Sequence, residues 1–138
     1  MNFVGFQQKI EIPEGHQLVV VEVEINSSLG RDQLFSLLSE PEEISRWFIR
    51  VSSLQSKQGG KVKFINEAGS TSEAICTTYE SGKEISLLSS EFGNYTAKVA
   101  GRKEFSVKIS FRILTDEPGE AKKKLEGYVA NLRGLIGS

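Results

Sequence analysis

Residues 116–136 read DEPGEAKKKLEGYVANLRGLI, and this stretch decides the fold. Its apolar residues recur at the i, i+4, i+7, i+8 spacing of an amphipathic helix and form one continuous stripe. The stripe comprises Ala121, Leu125, Tyr128, Val129, Leu132, Leu135 and Ile136. Acidic residues and Pro118 at the start favour a helix N-terminus there. The stretch therefore predicts a long C-terminal helix that buries one face against the rest of the chain.

The segment before that helix has the clearest strand pattern in the sequence. Phe105, Val107, Ile109, Phe111 and Ile113 alternate with polar residues, as in a half-buried strand. Upstream, turn-forming residues recur at intervals of about ten, which is typical of successive antiparallel hairpins. The predicted strands are 18–26, 61–66, 71–80, 83–89, 94–100 and 105–113. We therefore predict an α+β fold in which a curved antiparallel sheet of six or seven strands surrounds the C-terminal helix.

Two short helices are predicted between the first strand and Gly59-Gly60. Ser27-Ser28 offers an N-cap for the first, and Ser39 with Glu42 has the spacing of a capping box for the second. Their apolar residues are Leu34, Phe35 and Leu38 in the first, and Ile44, Trp47 and Phe48 in the second. Such helices are expected to lie over one open end of the sheet.

The composition favours one small globular unit. The chain of 138 residues has 38% hydrophobic and 25% charged residues, which suits a single domain over 1–138 with a core at about 18–136 and an N-terminal extension at 1–17. A net charge of −1 gives no reason to expect nucleic acid as a partner. Cys76 is the only cysteine, and we find neither a signal peptide nor a membrane-spanning stretch. A cytoplasmic protein is predicted.

Three stretches carry a family resemblance. They are Ile25-Asn26-Ser27-Ser28 running into Ser39-Glu40-Pro41-Glu42-Glu43-Ile44-Ser45-Arg46-Trp47-Phe48, then Gly59-Gly60-Lys61-Val62-Lys63-Phe64, and then Glu126-Gly127-Tyr128 with Leu132 and Leu135. In this order they resemble the START-like superfamily of helix-grip proteins, and most of all the activator of heat-shock protein 90 ATPase homologue family. Tyr128 stands where that family usually has tryptophan, and the hairpin at 81–83 lacks the usual Glu-Pro turn. The family's co-chaperone role belongs to larger proteins with an additional domain.

The resemblance implies a cavity between the sheet and the C-terminal helix. The candidate pocket-lining residues are Trp47, Phe48, Phe64, Thr78, Phe105, Ile109, Phe111, Tyr128 and Leu132. Aromatic and aliphatic residues with this pattern are more often plain core packing than ligand contacts. Tyr128 and Thr78 carry hydroxyls that would orient a ligand, although a tyrosine here could also reach water at its tip.

Catalytic, metal and cofactor signals are weak, and we predict none of the three. A cysteine nucleophile would need His16, the only histidine, and Cys76 reads more simply as a buried apolar residue. No set of ligands has metal-binding spacing, and Gly59-Gly60 lacks the Lys-Ser/Thr of a phosphate loop. Lys122-Lys123-Lys124 reads as a solvated helix face, with Glu120 at i, i+4 spacing from Lys124.

Three functions stay open from the sequence. The first is a non-enzymatic protein, monomer or homodimer, that binds a hydrophobic small molecule or lipid in the cavity. The alternative is an interaction protein associated with a chaperone, which predicts an exposed apolar or charged patch on the outer face of the sheet. The third is an enzyme of the cyclase or hydrolase type, for which only Tyr128 or Glu73 offers a titratable group.

Overall fold

The computed structural model describes residues 14–136, so most of the predicted N-terminal extension lies outside the described residues. The elements in chain order are β1 (Gln17–Ser27), α1 (Arg31–Ser39), α2 (Pro41–Ile44), β2 (Arg50–Leu54), β3 (Gly60–Ile65), β4 (Thr71–Glu80), β5 (Glu84–Ser89), β6 (Gly93–Gly101), β7 (Phe105–Thr115) and α3 (Pro118–Ile136). This order confirms the predicted α+β fold, with seven strands and a long C-terminal helix.

The seven strands form one antiparallel sheet in the order β1-β7-β6-β5-β4-β3-β2. Strands β2 to β7 are a meander, and β1 pairs with β7 along its whole length, from Gln17 opposite Thr115 to Ser27 opposite Phe105. The edges of the sheet are therefore β1 and β2. The sequence pattern did not predict β2, because Val51-Ser52-Ser53-Leu54 has too few apolar residues to alternate.

The helices cover one face of the sheet unevenly. α3 packs mainly against β1 and β7, α1 contacts β5 and β6, and α2 packs on β2. The α3 residues that are buried are Leu125, Val129, Leu132 and Ile136, all from the predicted stripe. Within residues 14–136, no helix is long and apolar enough to cross a membrane. α3 therefore covers β2 and β3 less than it covers β1 and β7.

Both predicted N-caps are wrong. α1 begins after Gly30, and neither helix has a side-chain cap at its N-terminus. The Ser27 hydroxyl accepts a hydrogen bond from the Leu29 backbone N–H, so it stabilises the turn before α1. The Ser39 hydroxyl donates to the Phe35 carbonyl at 2.7 Å and therefore closes the end of α1 instead of opening α2.

Trp47 and Phe48 follow α2 and are not part of it. α2 ends at Ile44, whose carbonyl accepts hydrogen bonds from the backbone N–H groups of both aromatic residues. The resulting turn directs both side chains into the core, where they are 1% and 8% exposed. Both residues were predicted to belong to the second helix, and that prediction is wrong because α2 ends at Ile44.

Two aromatic donors complete the end of α1. A helix leaves its last carbonyls without intrahelical partners. The Trp47 indole N–H donates to the Leu37 carbonyl at 2.7 Å, and the Tyr95 hydroxyl donates to the Leu38 carbonyl at 3.1 Å. These two bonds tie α1 to the turn after α2 and to the centre of the sheet.

Candidate functional site: a cleft beside the C-terminal helix

A cleft of about 830 Å³ opens between the N-terminal half of α3 and the sheet. It forms because α3 lies over β1 and β7, so its first two turns stand beside the uncovered end of β3. The residues around it are Phe48, Ile49, Arg50, Phe64, Ile65, Asn66, Glu67, Ala68, Glu91, Phe92, Ile113, Thr115, Glu117, Glu120, Ala121, Lys123, Lys124, Leu125 and Tyr128. The cleft is thus bounded by α3, the β3–β4 turn, the β5–β6 turn and the end of β7.

Four aromatic rings form the inner wall of the cleft. Phe48 is central, with ring centroids 5.4 Å from Phe92 and 5.0 Å from Tyr128, both edge-to-face. Phe64 extends the wall through an edge-to-face contact with Phe92 at 5.2 Å. Phe48, Phe64 and Phe92 are 8%, 3% and 8% exposed, so they present narrow strips of ring surface to the cleft, and Tyr128 is the more exposed member of the wall.

Deeper rings close the interior behind that wall. Phe48 also lies 5.1 Å from Tyr95 and 5.2 Å from Phe111, and both of these residues are fully buried. Trp47 stacks on Phe48 at 5.5 Å. These ring contacts fill the centre between the sheet and the helices, and the cleft lies on the α3–β3 side of them.

Tyr128 is the polar group of the inner wall. It is half-buried, and burial raises the pKa of its phenol. Its hydroxyl makes no hydrogen bond to another residue of the described range 14–136, whereas the hydroxyl of Tyr95 is bonded to Leu38. Since a phenol can both donate and accept, Tyr128 offers one hydrogen-bonding position in an otherwise apolar wall.

Charged residues of both signs line the mouth. The cations are Arg50, Lys123 and Lys124, and the carboxylates are Glu67, Glu91, Glu117 and Glu120. Lys124 forms an ion pair with Glu67 of the β3–β4 turn. The pair links α3 to that turn across the mouth of the cleft, and Lys124 does not pair along the helix with Glu120. The lysine run is consequently more than a solvated helix face, because two of its members border the cleft.

The structure brings three of the nine predicted pocket residues to this cleft, namely Phe48, Phe64 and Tyr128. Trp47, Ile109, Phe111 and Leu132 lie in the buried core behind it. Phe105 is half-buried at the far end of β7, with the Arg31 guanidinium 5.3 Å above its ring. Thr78 follows a bulge in β4 that puts it in register with Ser86, away from the cleft.

Sequence reasoning missed several residues of the wall. Phe92 lies in the β5–β6 turn, where no periodic pattern marks it, and Ile49 follows the aromatic pair without a pattern of its own. Leu125 and Ile113 belong to the predicted helix stripe and strand alternation, but nothing in those patterns separates cleft residues from core residues. Only the position of α3 over the sheet makes that distinction.

Of the groups weighed for catalysis, Tyr128 borders the cleft and the other three lie elsewhere. Cys76 is fully buried, and burial raises the pKa of its thiol, which disfavours the reactive thiolate. Glu73 is exposed on β4 opposite Lys63, and His16 lies in the turn before β1. Within the described range, no three His, Cys, Asp or Glu side chains are placed to hold a metal ion. None of these three residues borders the cleft.

Solved structures share this architecture. Protein MLL2253 from Mesorhizobium loti superposes with a TM-score of 0.65 at 18% identity, over 88% of this chain and 97% of that one. The Aha1 dimer from Colwellia psychrerythraea gives a TM-score of 0.63 at 12% identity, over 86% and 96% of the two chains. DynU16, from the dynemicin biosynthetic locus, gives 0.65 at 12% identity, over 86% of this chain and 47% of its own.

These similarities define the class of fold and nothing finer. The chain has the helix-grip, START-like fold, in which a curved antiparallel sheet surrounds a long C-terminal helix. No protein-family model matches the chain, and no curated protein matches it either. At identities of 12–18%, function has to be argued from the cleft itself.

Proposed function

We propose that this protein binds an amphipathic small molecule, with a flat apolar body and at least one polar group, in the cleft between α3 and β3. The observation that carries the proposal is the aromatic wall of Phe48, Phe64, Phe92 and Tyr128 at the bottom of a cleft of about 830 Å³. Ligand sites of folded proteins are concave, mostly apolar and roughly 300–1,000 Å³ in volume, with few polar groups that fix orientation.

The aromatic inner wall suits the apolar body of such a ligand, and the charged mouth suits its polar group. A ligand that removes ~200 Å² of apolar surface from water gains about 5 kcal/mol before the costs of association. Its polar group would meet the Tyr128 hydroxyl, which has no protein partner among residues 14–136, or the charged residues at the mouth of the cleft. Because the mouth carries cations and carboxylates together, a neutral or zwitterionic head is better matched than a strongly charged one.

The fold similarities support this proposal as an analogy. The sequence resembles the START-like superfamily, and that resemblance implies a pocket between the sheet and the C-terminal helix. The Aha1 dimer and DynU16 share the fold, and they support the proposal only at that level. We place the chain in the START-like superfamily on the same grounds. The role as a binding protein rests on the cleft, since no catalytic constellation borders it.

A matched pair of tryptophan variants tests the proposal. Ala121 is half-buried and borders the cleft, whereas Ala130 is exposed on the same helix. The uncharged dye Nile red should bind the native protein saturably, at one dye per chain. Ala121→Trp fills the cleft and should weaken the affinity by tenfold or more, while Ala130→Trp should leave it unchanged. Absence of saturable binding by the native protein, or equal affinity in both variants, would contradict the proposal.

A second function, association with a chaperone, is favoured by the outer face of the sheet. Ile75 and Leu88 are 51% and 46% exposed and lie directly opposite each other on β4 and β5. Neighbouring exposed apolar side chains mark interaction surfaces. Calorimetric titration with purified heat-shock protein 90 tests this candidate. Binding that is lost in Ile75→Asp/Leu88→Asp supports it, and absence of binding by the native protein excludes it.

A further inference from the structure

The N-terminal segment, residues 1–13, joins the described fold beside the mouth of the cleft. It precedes the described range, and β1 begins shortly after it, at Gln17. Gln17 is opposite Thr115 at the end of β7, and Thr115 borders the cleft. Glu117, which lies just before α3, borders the cleft as well. The segment is therefore attached at the end of the sheet where the cleft opens.

The composition of this segment favours contact with an apolar surface. Half of residues 1–12 are apolar, namely Met1, Phe3, Val4, Phe6, Ile10 and Ile12. Segments that stay in water are instead poor in aromatic and β-branched residues, because they have little apolar surface to bury. Phe3 and Phe6 are the largest of these side chains, so they gain most from a site that excludes water.

The cleft offers such a site close to the attachment. Five of its apolar or aromatic residues are half-buried and keep surface that residues 14–136 do not cover, and these are Ile49, Ile65, Ile113, Ala121 and Tyr128. On the outer face near the attachment, Val20 and Leu114 are 43% and 38% exposed on an open sheet surface. A ring in a concave site loses more contact with water than a ring on an open sheet, so the cleft is the better match.

Length and charge also fit a path from the attachment into the cleft. Phe6 lies eight residues before Glu14, and a chain of that length spans about 26–29 Å when extended. This reach is ample for entry into a cleft of about 830 Å³. Lys9 lies between Phe6 and the attachment, and the α3 side of the mouth carries Glu117 and Glu120. Neither carboxylate forms an ion pair with another residue of the described range.

We propose that residues 1–12 cover the mouth of the cleft reversibly, with the rings of Phe3 and Phe6 against Tyr128 and Ile113, and that a ligand displaces them. This regulation rests on the function proposed for the cleft, because it makes the segment a competitor of the ligand. The measured affinity for a ligand is then lowered by the fraction of molecules in which the cleft is open. Loss of the two phenylalanine rings raises that fraction.

Nuclear Overhauser effects in the full chain without ligand test the contact itself. The ring protons of Phe3 and Phe6 should show effects to the ring of Tyr128 and the methyl groups of Ile113. These effects should be absent in Phe3→Ser/Phe6→Ser, which assigns them to the segment, and saturation with β-naphthol should remove them from the native protein. Effects from the segment to β1 or Leu114 on the outer face, with none to the cleft, would overturn the proposal.

Dye binding by matched variants of the full chain tests the competition. Phe3→Ser/Phe6→Ser should bind Nile red about fivefold or more tightly than the native protein, because its cleft is open more of the time. Gln7→Ser/Gln8→Ser alters the same segment without removing an apolar side chain and should bind as the native protein does. Equal, saturable binding by all three would overturn the covering and leave the cleft as a binding site. Absence of saturable binding by all three would contradict the function proposed for the cleft, and the Overhauser effects would then decide the covering alone.

Discussion

Trp47 and Tyr95 each place one polar hydrogen inside the aromatic core, and both hydrogens go to the end of α1. A buried carbonyl without a partner costs about 1–3 kcal/mol, so these bonds explain why residues with polar tips occupy fully buried positions. The sequence marks both aromatic residues as apolar. It does not show which carbonyl each one reaches, because the partners lie 10 and 57 residues away in the chain.

Replacement of Tyr95 by phenylalanine tests the role of its hydroxyl. Tyr95→Phe leaves the ring in place and the Leu38 carbonyl unpaired, so the free energy of unfolding should fall by about 1–2 kcal/mol. Tyr128→Phe is the matched control, since its hydroxyl has no partner within residues 14–136, and it should change stability by less than about 0.5 kcal/mol. Urea unfolding measures both. Equal effects of the two substitutions would contradict the assigned role.

Alkaline pH tests the burial of Tyr95. Full burial raises its pKa well above the ordinary tyrosine value of about 10. Above pH 10 the unfolded chain releases this proton while the folded protein keeps it, so the free energy of unfolding falls by about 1.4 kcal/mol per pH unit. Tyr95→Phe lacks this contribution and should lose stability less steeply between pH 10 and 11. Parallel pH profiles for the two proteins would show that Tyr95 titrates normally when folded.

Among the elements, α3 is the one whose sequence determines its position most completely. Its four buried residues all come from the predicted stripe, and β7 shows the alternation predicted for it. β2 was missed because its sequence has few apolar residues, and it is a strand only because β3 pairs with it. The two short helices lie where they were predicted, but the second ends at Ile44 before Trp47 and Phe48. Their predicted caps are wrong, since the serine hydroxyls bind other backbone groups.

Substitution by alanine should have opposite effects on stability at Gly127 and at Gly93. Gly127 is exposed within α3, and a Cβ there would meet nothing within 4 Å, so Gly127→Ala should stabilise the protein by about 0.5–1 kcal/mol. Gly93 has a φ of +79°, and a Cβ there would collide with the Arg112 backbone on β7. Gly93→Ala should therefore destabilise by about 1–3 kcal/mol. Thermal unfolding of both variants checks the difference in sign.

At the scale of the whole molecule, the cleft results from the position of one helix. α3 covers β1 and β7, and the rings around Phe48 fill the centre. The end of β3 at Phe64 and Ile65 therefore borders the cleft. The sequence predicted the helix, the sheet and three cleft residues. It could not place the cleft at the N-terminal half of α3, because residues of one periodic stripe meet the core at Leu132 and the cleft at Tyr128.

The most direct test of the binding function is to locate a neutral ligand on the protein. β-Naphthol has a flat apolar body and one hydroxyl, which matches the aromatic wall and Tyr128. Intermolecular nuclear Overhauser effects should connect its ring protons to the rings of Phe64, Phe92 and Tyr128. Contacts to Ile75 and Leu88 on the outer face, with none to the three cleft rings, would contradict the assignment of the cleft as the binding site.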